Sequence, residues 1–226
     1  MSSRFPAQDT LARNLISSRA AVVAGIFSFV AHVKLPRVPP APAPRPPEDD
    51  PRSDQELVAA ANAGDPSAFD ALYHRYKNWV VSLATRFTGD PDQALDVLQE
   101  TYLYLLSKFP GFRLTSRLTT FLYPAVKNLS IAHRRKASRR AGGGAPEVLG
   151  QIAAPPTPAQ PGELTTVVAG LSEPHREVVL MRFVDGLALE EIATALDIPL
   201  GTVKSRLHNA LGALRADPRV REFFEP

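Results

Sequence analysis

The stretch LDIPLGTVKSRLHNALGALR, Leu196 to Arg215, concentrates groups able to read a nucleic acid. Val203, Leu207, Leu211 and Leu214 recur at three- and four-residue steps, the period of a helix buried along one side. Thr202, Lys204, Ser205, Arg206, His208 and Asn209 form the polar surface of that helix. Lys and Arg neutralise phosphates or hydrogen-bond guanine edges, and Asn pairs with adenine; each good bidentate contact discriminates by about 1–3 kcal/mol. Upstream, Leu189, Ile192, Ala193 and Leu196 mark a short helix. Asp197-Ile198-Pro199 is the turn, because Pro199 lacks an N–H and its ring clashes one turn back. The result is a helix-turn-helix whose second helix enters the major groove.

The elements that must carry this unit are all helical. SDQE at Ser53–Glu56 is a capping box and starts a helix that stops at Gly64. Asp65-Pro66 restarts the chain, and Phe69, Leu72, Tyr73, Tyr76, Val80, Leu83 and Phe87 then share one face. Gly89–Asp92 repeats that punctuation. It opens a third helix to about Phe109, with Leu95, Leu98, Tyr102, Leu105 and Phe109 expected on its buried face. A loop, PGFRLTS, precedes a fourth helix from about Leu118 to Ser138, with Leu118, Leu122, Ala125, Leu129 and Ala132 inward. Pro124 inside it removes a backbone hydrogen bond and is expected to kink the helix or delay its start. Ser172 is expected to cap the helix that carries Val178, Val179, Met181 and Phe183. No stretch alternates as a strand does.

Two segments fall outside this pattern. Eight of the 22 prolines lie between Pro36 and Pro51, which makes residues 1–52 a Pro-rich, disordered extension. The apolar run Ala20–Val33 within it is shorter than the roughly 20 residues of a membrane helix, so a membrane role is not expected. Residues 141–163 hold glycines and prolines without amphipathic period and read as a flexible linker. The expected domains are therefore 53–140 and 164–217, with a tail at 218–226. The fold class is all-α: two small helical domains on a tether.

The chain lacks cysteine, which removes disulfides, thiolate metal sites and cysteine catalysis. The five histidines are scattered, and no phosphate-binding glycine loop or nucleophile–base pair occurs. No catalytic residue, metal site or cofactor is expected. The net charge is only +3, so basic character matters where it is clustered, as at His133-Arg134-Arg135-Lys136 and Arg139-Arg140.

GLALEEIATALDIPLGTVKSRLHNAL resembles the C-terminal DNA-binding domain of extracytoplasmic-function (ECF) sigma factors, the small group-four members of the sigma-70 family. DVLQETYLYL, Asp96–Leu105, resembles that family's core-polymerase-binding helix, and FRLTSRLTTFLYPAVKNLSIAHRR, Phe112–Arg135, its promoter-melting and minus-10 segment. The resemblance implies a sigma region 2-like bundle over 53–140 and a region 4-like helix-turn-helix over 164–217. It implies a cytoplasmic subunit, not an enzyme, whose partners are RNA polymerase core and promoter DNA. An anti-sigma factor is a further partner the family brings with it.

By the same resemblance Asp96, Gln99 and Glu100 meet the clamp helices of the largest polymerase subunit. Phe112, Arg113, Ser116 and Thr120 belong to the loop that captures a flipped minus-10 base. Phe121, Tyr123, Lys127 and Asn128 lie beside the separated strand, and Arg134 and Arg135 grip duplex phosphates. Aromatic rings suit this work because a base stacks on them for about 1–3 kcal/mol; the alternative for Phe121 and Tyr123 is a plain core role. The minus-35 element falls to Thr202, Lys204, Ser205, Arg206, His208 and Asn209.

The sequence also departs from the family. Leu114 and Thr115 replace a usual glycine and acid, Phe121 replaces tryptophan, and Asn209 stands where many members carry arginine. A free-standing LuxR-type helix-turn-helix regulator is the competing reading, and it leaves DVLQET unexplained.

Overall fold

The computed structural model describes residues 50–140 and 167–218. The extension up to residue 49, the linker with the start of the second unit at 141–166, and the tail from 219 lie outside the described residues. Helices α1 (Asp54–Asn62), α2 (Pro66–Thr88), α3 (Pro91–Leu106) and α4 (Leu118–Arg140) pack as an N-terminal bundle. Helices α5 (Glu173–Phe183), α6 (Leu189–Leu196) and α7 (Leu200–Ala216) make the C-terminal unit, and α4 also packs against α6. The described residues contain no strand.

The bundle is set by its punctuation. Ser53 and Glu56 form the expected capping box: the Glu56 N–H donates to Ser53 Oγ at 3.3 Å, and Glu56 Oε2 accepts from the Ser53 N–H at 2.7 Å. Gly64 and Gly89 turn the chain at φ 92° and 74°, a left-handed backbone conformation that residues with a Cβ rarely adopt. Each is followed by an N-cap aspartate and a proline in the first turn. Asp65 Oδ1 accepts from the Ser67 N–H at 2.9 Å, and Asp90 Oδ1 from the Asp92 N–H at 2.9 Å. In the first turn of α1, Asp54 accepts from Arg75 at 2.6 Å and from the Tyr76 hydroxyl, which fixes the start of α1 on the side of α2.

Leu57, Leu72, Val80, Leu83, Phe87, Val97, Leu105, Leu118, Leu122 and Val126 make the bundle core, all but fully buried. Four expected positions differ. Leu95 is 49% exposed, because the buried stripe of α3 runs Ala94–Val97–Leu98–Thr101–Tyr102–Leu105, one step round from the expected one. Helix α3 ends at Leu106; Phe109 follows in a turn, where its N–H bonds the Leu106 carbonyl at 3.0 Å. In α4 the inward stripe is Leu118–Leu122–Val126–Ser130, so Ala132 is exposed and Ala125 half-buried.

Pro124 neither stops α4 nor delays its start. The missing N–H costs one bond to the carbonyl four residues back, while buried Leu122, Tyr123 and Val126 hold both sides of the ring in place. Ser172 sits at the N-cap of α5 without a side-chain bond to the helix.

The C-terminal unit closes on Val178, Val179, Met181, Leu187, Ile192, Val203, Leu211 and Leu214. Asp197 takes a left-handed conformation, φ 53°, that ends α6. The Ile198 N–H bonds back to the Ala193 carbonyl at 3.1 Å, and the Pro199 carbonyl accepts from the Thr202 N–H at 2.9 Å to start α7. This is the expected turn of a helix-turn-helix.

Two outcomes check this account. Leu122→Ala removes a fully buried side chain and should cost about 2–5 kcal/mol in urea unfolding followed by helical circular dichroism. Asp90→Ala should lower the melting temperature at pH 7. Its carboxyl is held below the usual 3.8 by hydrogen bonds from Gln93 and the Asp92 N–H. The stabilisation is therefore present above pH 3.8 and lost as pH falls through the lowered value, so the deficit of the variant should shrink in acid.

Candidate nucleic-acid interface

The recognition helix presents the expected residues outward. Val203, Leu207, Ala210, Leu211 and Leu214 face the core, while Lys204, Ser205, His208 and Asn209 are exposed and Thr202 and Arg206 half-buried. Ser205 Oγ donates to the Thr202 carbonyl at 3.0 Å, which leaves its oxygen lone pairs outward. Gly201 and Gly212 have open space where a Cβ would stand.

On α3, Asp96, Gln99 and Glu100 are exposed. Glu100 Oε1 lies 2.9 Å from His133 Nε2 of α4, so it is partnered within the bundle. The sequence reading missed the apolar part of this surface. Leu103 is 65% exposed, one turn beyond Gln99 and Glu100, and Leu95 and Leu106 are also exposed. The signal lay in the spacing 96–99–103, which places Leu103 on the polar stripe. Exposed leucines flanking a short acidic stripe suit a helical protein partner better than DNA phosphates.

The loop between α3 and α4 is anchored rather than free. Asn62 Oδ1 accepts from the Gly111 N–H at 2.7 Å and the Phe112 N–H at 3.0 Å, and its Nδ2 donates to the Phe112 carbonyl at 2.8 Å. Asn62, at the end of α1, carries no sequence signal that ties it to a loop fifty residues on. Phe112 is buried and packs on Phe121 at 4.7 Å between ring centroids, and Phe121 stacks with Tyr104 at 6.0 Å. Lys108 Nζ lies 4.4 Å above the Tyr104 ring. The loop thus ends on a partly open aromatic shelf, with Arg113 exposed and Ser116 half-buried at its rim. Thr120 is buried beneath it.

Along α4 the expected residues divide. Asn128 and Arg135 are exposed, and Arg134 Nη1 donates to the Phe87 carbonyl at 3.3 Å. Tyr123 is 1% exposed, covered by the C-terminal unit: its hydroxyl donates to Glu177 Oε1 at 3.0 Å. Lys127 Nζ reaches the same oxygen at 2.5 Å. Burial, reinforced by Glu177, holds the Tyr123 hydroxyl well above its usual value, so it stays a donor. Two more pairs join the units. Arg86 contacts both oxygens of Asp185, at 2.7 and 3.0 Å, and Arg117 Nε lies 3.2 Å from Glu191. Burial alone would pull the Arg86 guanidinium down, but the Asp185 charge outweighs it and the group stays cationic.

No helix among the described residues is long and apolar enough to cross a membrane, and no group of His, Cys, Asp or Glu among them could hold a metal ion.

Comparison with known proteins places both halves. The family model for Sigma-70 region 2 matches residues 72–140, and that for Sigma-70 region 4 matches residues 167–216. The ECF RNA polymerase sigma-E factor of Salmonella typhimurium (strain LT2) is 33% identical over 189 residues, covering 75% of this chain and 97% of that protein. The protein of the same name from Escherichia coli (strain K12) matches to the same extent. The RNA polymerase sigma-H factor of Pseudomonas aeruginosa is 30% identical over 186 residues, covering 75% of this chain and 96% of its own. Among solved structures, CnrH in complex with the cytosolic domain of CnrY shares the fold, with a TM-score of 0.52 at 22% identity over 72% of this chain and 95% of that one.

The chain belongs to the extracytoplasmic-function group of the sigma-70 family, the dissociable subunits that join RNA polymerase core and direct initiation at specific promoters. The region 2 match removes the need for a LuxR-type reading, which accounts for the C-terminal half alone.

One consequence concerns the loop. Asn62→Ala removes all three bonds to Gly111 and Phe112. It should speed amide hydrogen exchange at those two residues by about tenfold or more while leaving the α2 and α3 amides unchanged; equal protection in the variant would refute the anchoring role.

Proposed function

We propose that the work of this sigma factor is divided among three surfaces. Residues 53–140 dock on core through Asp96, Gln99 and Glu100 of α3, with Leu103 as an apolar anchor between them and the end of the helix. The same domain reads and opens the minus-10 element. Phe112, Arg113, Ser116 and Thr120 shape the base-capture loop, Phe121, Tyr123, Lys127 and Asn128 follow the separated strand, and Arg134 and Arg135 take upstream phosphates. Residues 164–217 read the minus-35 element with Thr202, Lys204, Ser205, Arg206, His208 and Asn209, and 141–163 link the two. The observation that carries this reading is the stripe of α3, where acidic and amide groups stand beside a 65% exposed leucine in an otherwise well-filled bundle.

The chain catalyses no reaction in this reading; nucleotide chemistry belongs to the polymerase. It acts in the cytoplasm, where core and promoters are. An anti-sigma factor is part of the reading as a further partner, and the solved relative CnrH is in complex with the cytosolic domain of CnrY.

Core binding is the first test. The purified chain should co-purify with bacterial core polymerase and start run-off transcripts at discrete promoters, and an Asp96→Ala/Gln99→Ala/Glu100→Ala variant should lose both. A chain that binds DNA alone but never joins core would sink the assignment of α3. On the minus-35 side, Asn209→Ala should cost about 1–3 kcal/mol in affinity and relax the preference at one base pair in competition binding. An unchanged preference would remove Asn209 from the reading set.

A further inference from the structure

Helix α3 turns a stripe of leucine toward solvent. Leu95, Gln99, Leu103 and Leu106 follow one another at steps of four, four and three residues, so they share one side of the helix. Leu103 is 65% exposed and Leu95 and Leu106 are each 49% exposed, while the opposite stripe of α3 fills the bundle. Asp92, Asp96 and Glu100, all exposed, run along one edge of the leucines, and no basic residue stands between Pro91 and Ser107. An apolar strip with an acidic border fits a partner that is apolar with basic flanks.

The chain itself carries such a segment. In Ala20–Val33, Val22, Ile26, Phe29 and Val33 recur at steps of four, three and four residues. Arg13 and Arg19 precede it, Lys34 and Arg37 follow, and no acidic residue occurs between Asp9 and Glu48. The point from which the segment hangs is fixed on the bundle. Arg52 Nε and Nη2 contact the two oxygens of Asp50 at 3.0 and 2.7 Å, and its Nη1 donates to Asp65 at 3.1 Å. Arg75 of α2 donates to the Asp50 and Arg52 carbonyls at 3.2 and 2.7 Å. Two residues before Arg75, the Tyr73 carbonyl accepts from the Tyr102 hydroxyl of α3 at 3.2 Å. The exit point and α3 therefore flank the same part of α2. Helices pack about 8–10 Å apart, which puts the outer side of α3 roughly 20–25 Å from that exit. Residues 34–49 form a proline-rich tether that spans roughly 50 Å at about 3.1 Å per residue, ample for the distance.

We propose that Ala20–Val33 is the resting occupant of the Leu95–Leu103–Leu106 face and gives way when RNA polymerase core takes α3. The competition rests on the reading above that makes α3 the core-docking helix; the docking of the segment does not. A tether of this kind sets an effective concentration on the order of 1 mM. A contact with a Kd of only about 0.1–0.3 mM then covers the face roughly 75–90% of the time, and a tight partner still displaces it. The extension thereby sets a threshold for joining core without any second protein.

The full chain tests this. The photo-crosslinking residue p-benzoylphenylalanine in place of Leu95 should give, on irradiation, a monomer-sized adduct that maps to residues 20–33. The same group in place of Ala213, exposed on α7, should not reach that segment. Ile26→Asp/Phe29→Asp lies outside the bundle and should abolish the adduct while the helical melting curve stays unchanged. Core affinity is the second readout, from the anisotropy of a dye on Ala213→Cys, a unique thiol in a chain without cysteine. Ile26→Asp/Phe29→Asp should bind core about four- to tenfold more tightly than wild type, the factor set by the fraction of time the face is covered.

Absence of a 20–33 adduct from position 95 overturns the proposal, and so does an adduct found only in dimer-sized product, which assigns the face to a second copy. Sedimentation of the wild type with phosphatidylglycerol vesicles, without that adduct, assigns the segment to a lipid surface and overturns it as well. Loss of the adduct with no gain in core affinity overturns the competition. If the adduct forms but Asp96→Ala/Gln99→Ala/Glu100→Ala keeps full core affinity, the reading of α3 as the core-docking helix fails, and the competition falls with it.

Discussion

A carboxylate taken out of water must find donors, and Glu177 finds them across the gap between the two domains. Its Oε1 accepts from the Tyr123 hydroxyl and the Lys127 ammonium, both on α4, while the backbone that carries it belongs to α5. An unpaired charge at that depth would cost several kcal/mol, so the carboxylate and its donors fix one another. The relative placement of α4 against α5 and α6 follows, and with it the cover over Tyr123 and the approach of Asp185 to Arg86. Glu173, one turn earlier on α5, feels the same burial: desolvation and the Glu177 charge raise its carboxyl above the usual range.

Most of the helical frame could be read before any coordinates. Gly64-Asp65-Pro66 and Gly89-Asp90-Pro91 each specify a left-handed stop, a side-chain cap and a proline start, so local chemistry alone places the end of α1, both ends of α2 and the start of α3. The turn at Asp197-Ile198-Pro199 is of the same kind. Faces were less legible than ends. On α3, Leu95, Leu98, Tyr102 and Leu105 fit a helical stripe, and so do Ala94, Val97, Leu98, Thr101, Tyr102 and Leu105; only packing against α2 and α4 selects the second. The choice leaves Leu95 and Leu103 in solvent. On α4, alanines at 125 and 132 suit an inward or an outward position equally well, whereas Val126 is sorted by the space between helices.

Long-range polar contacts were not legible at all. Arg86 and Asp185 stand 99 residues apart, and nothing in the local pattern of either names the other. The same holds for Asn62 and the Gly111–Phe112 backbone. Basic residues around α4 read as DNA ligands by type, and type does not reveal that Lys127 already holds a carboxylate in the folded chain. For Tyr123, aromatic type fits both a core and a stacking role, and the structure shows the buried arrangement.

The loop from Gly111 to Ser116 is fixed at its near end by Asn62 and by Phe112 on the aromatic shelf, and at its far end by the start of α4. Arg113 and Thr115 between those ends are exposed, and their side chains make no hydrogen bond or ion pair among the described residues. Such a segment is a changeable tip on a constant stem. Substitutions at Arg113, Leu114 or Thr115 could alter which unpaired base is accepted without disturbing the scaffold, so a lineage of these proteins can acquire new promoter sets while its stability and its polymerase partner stay the same.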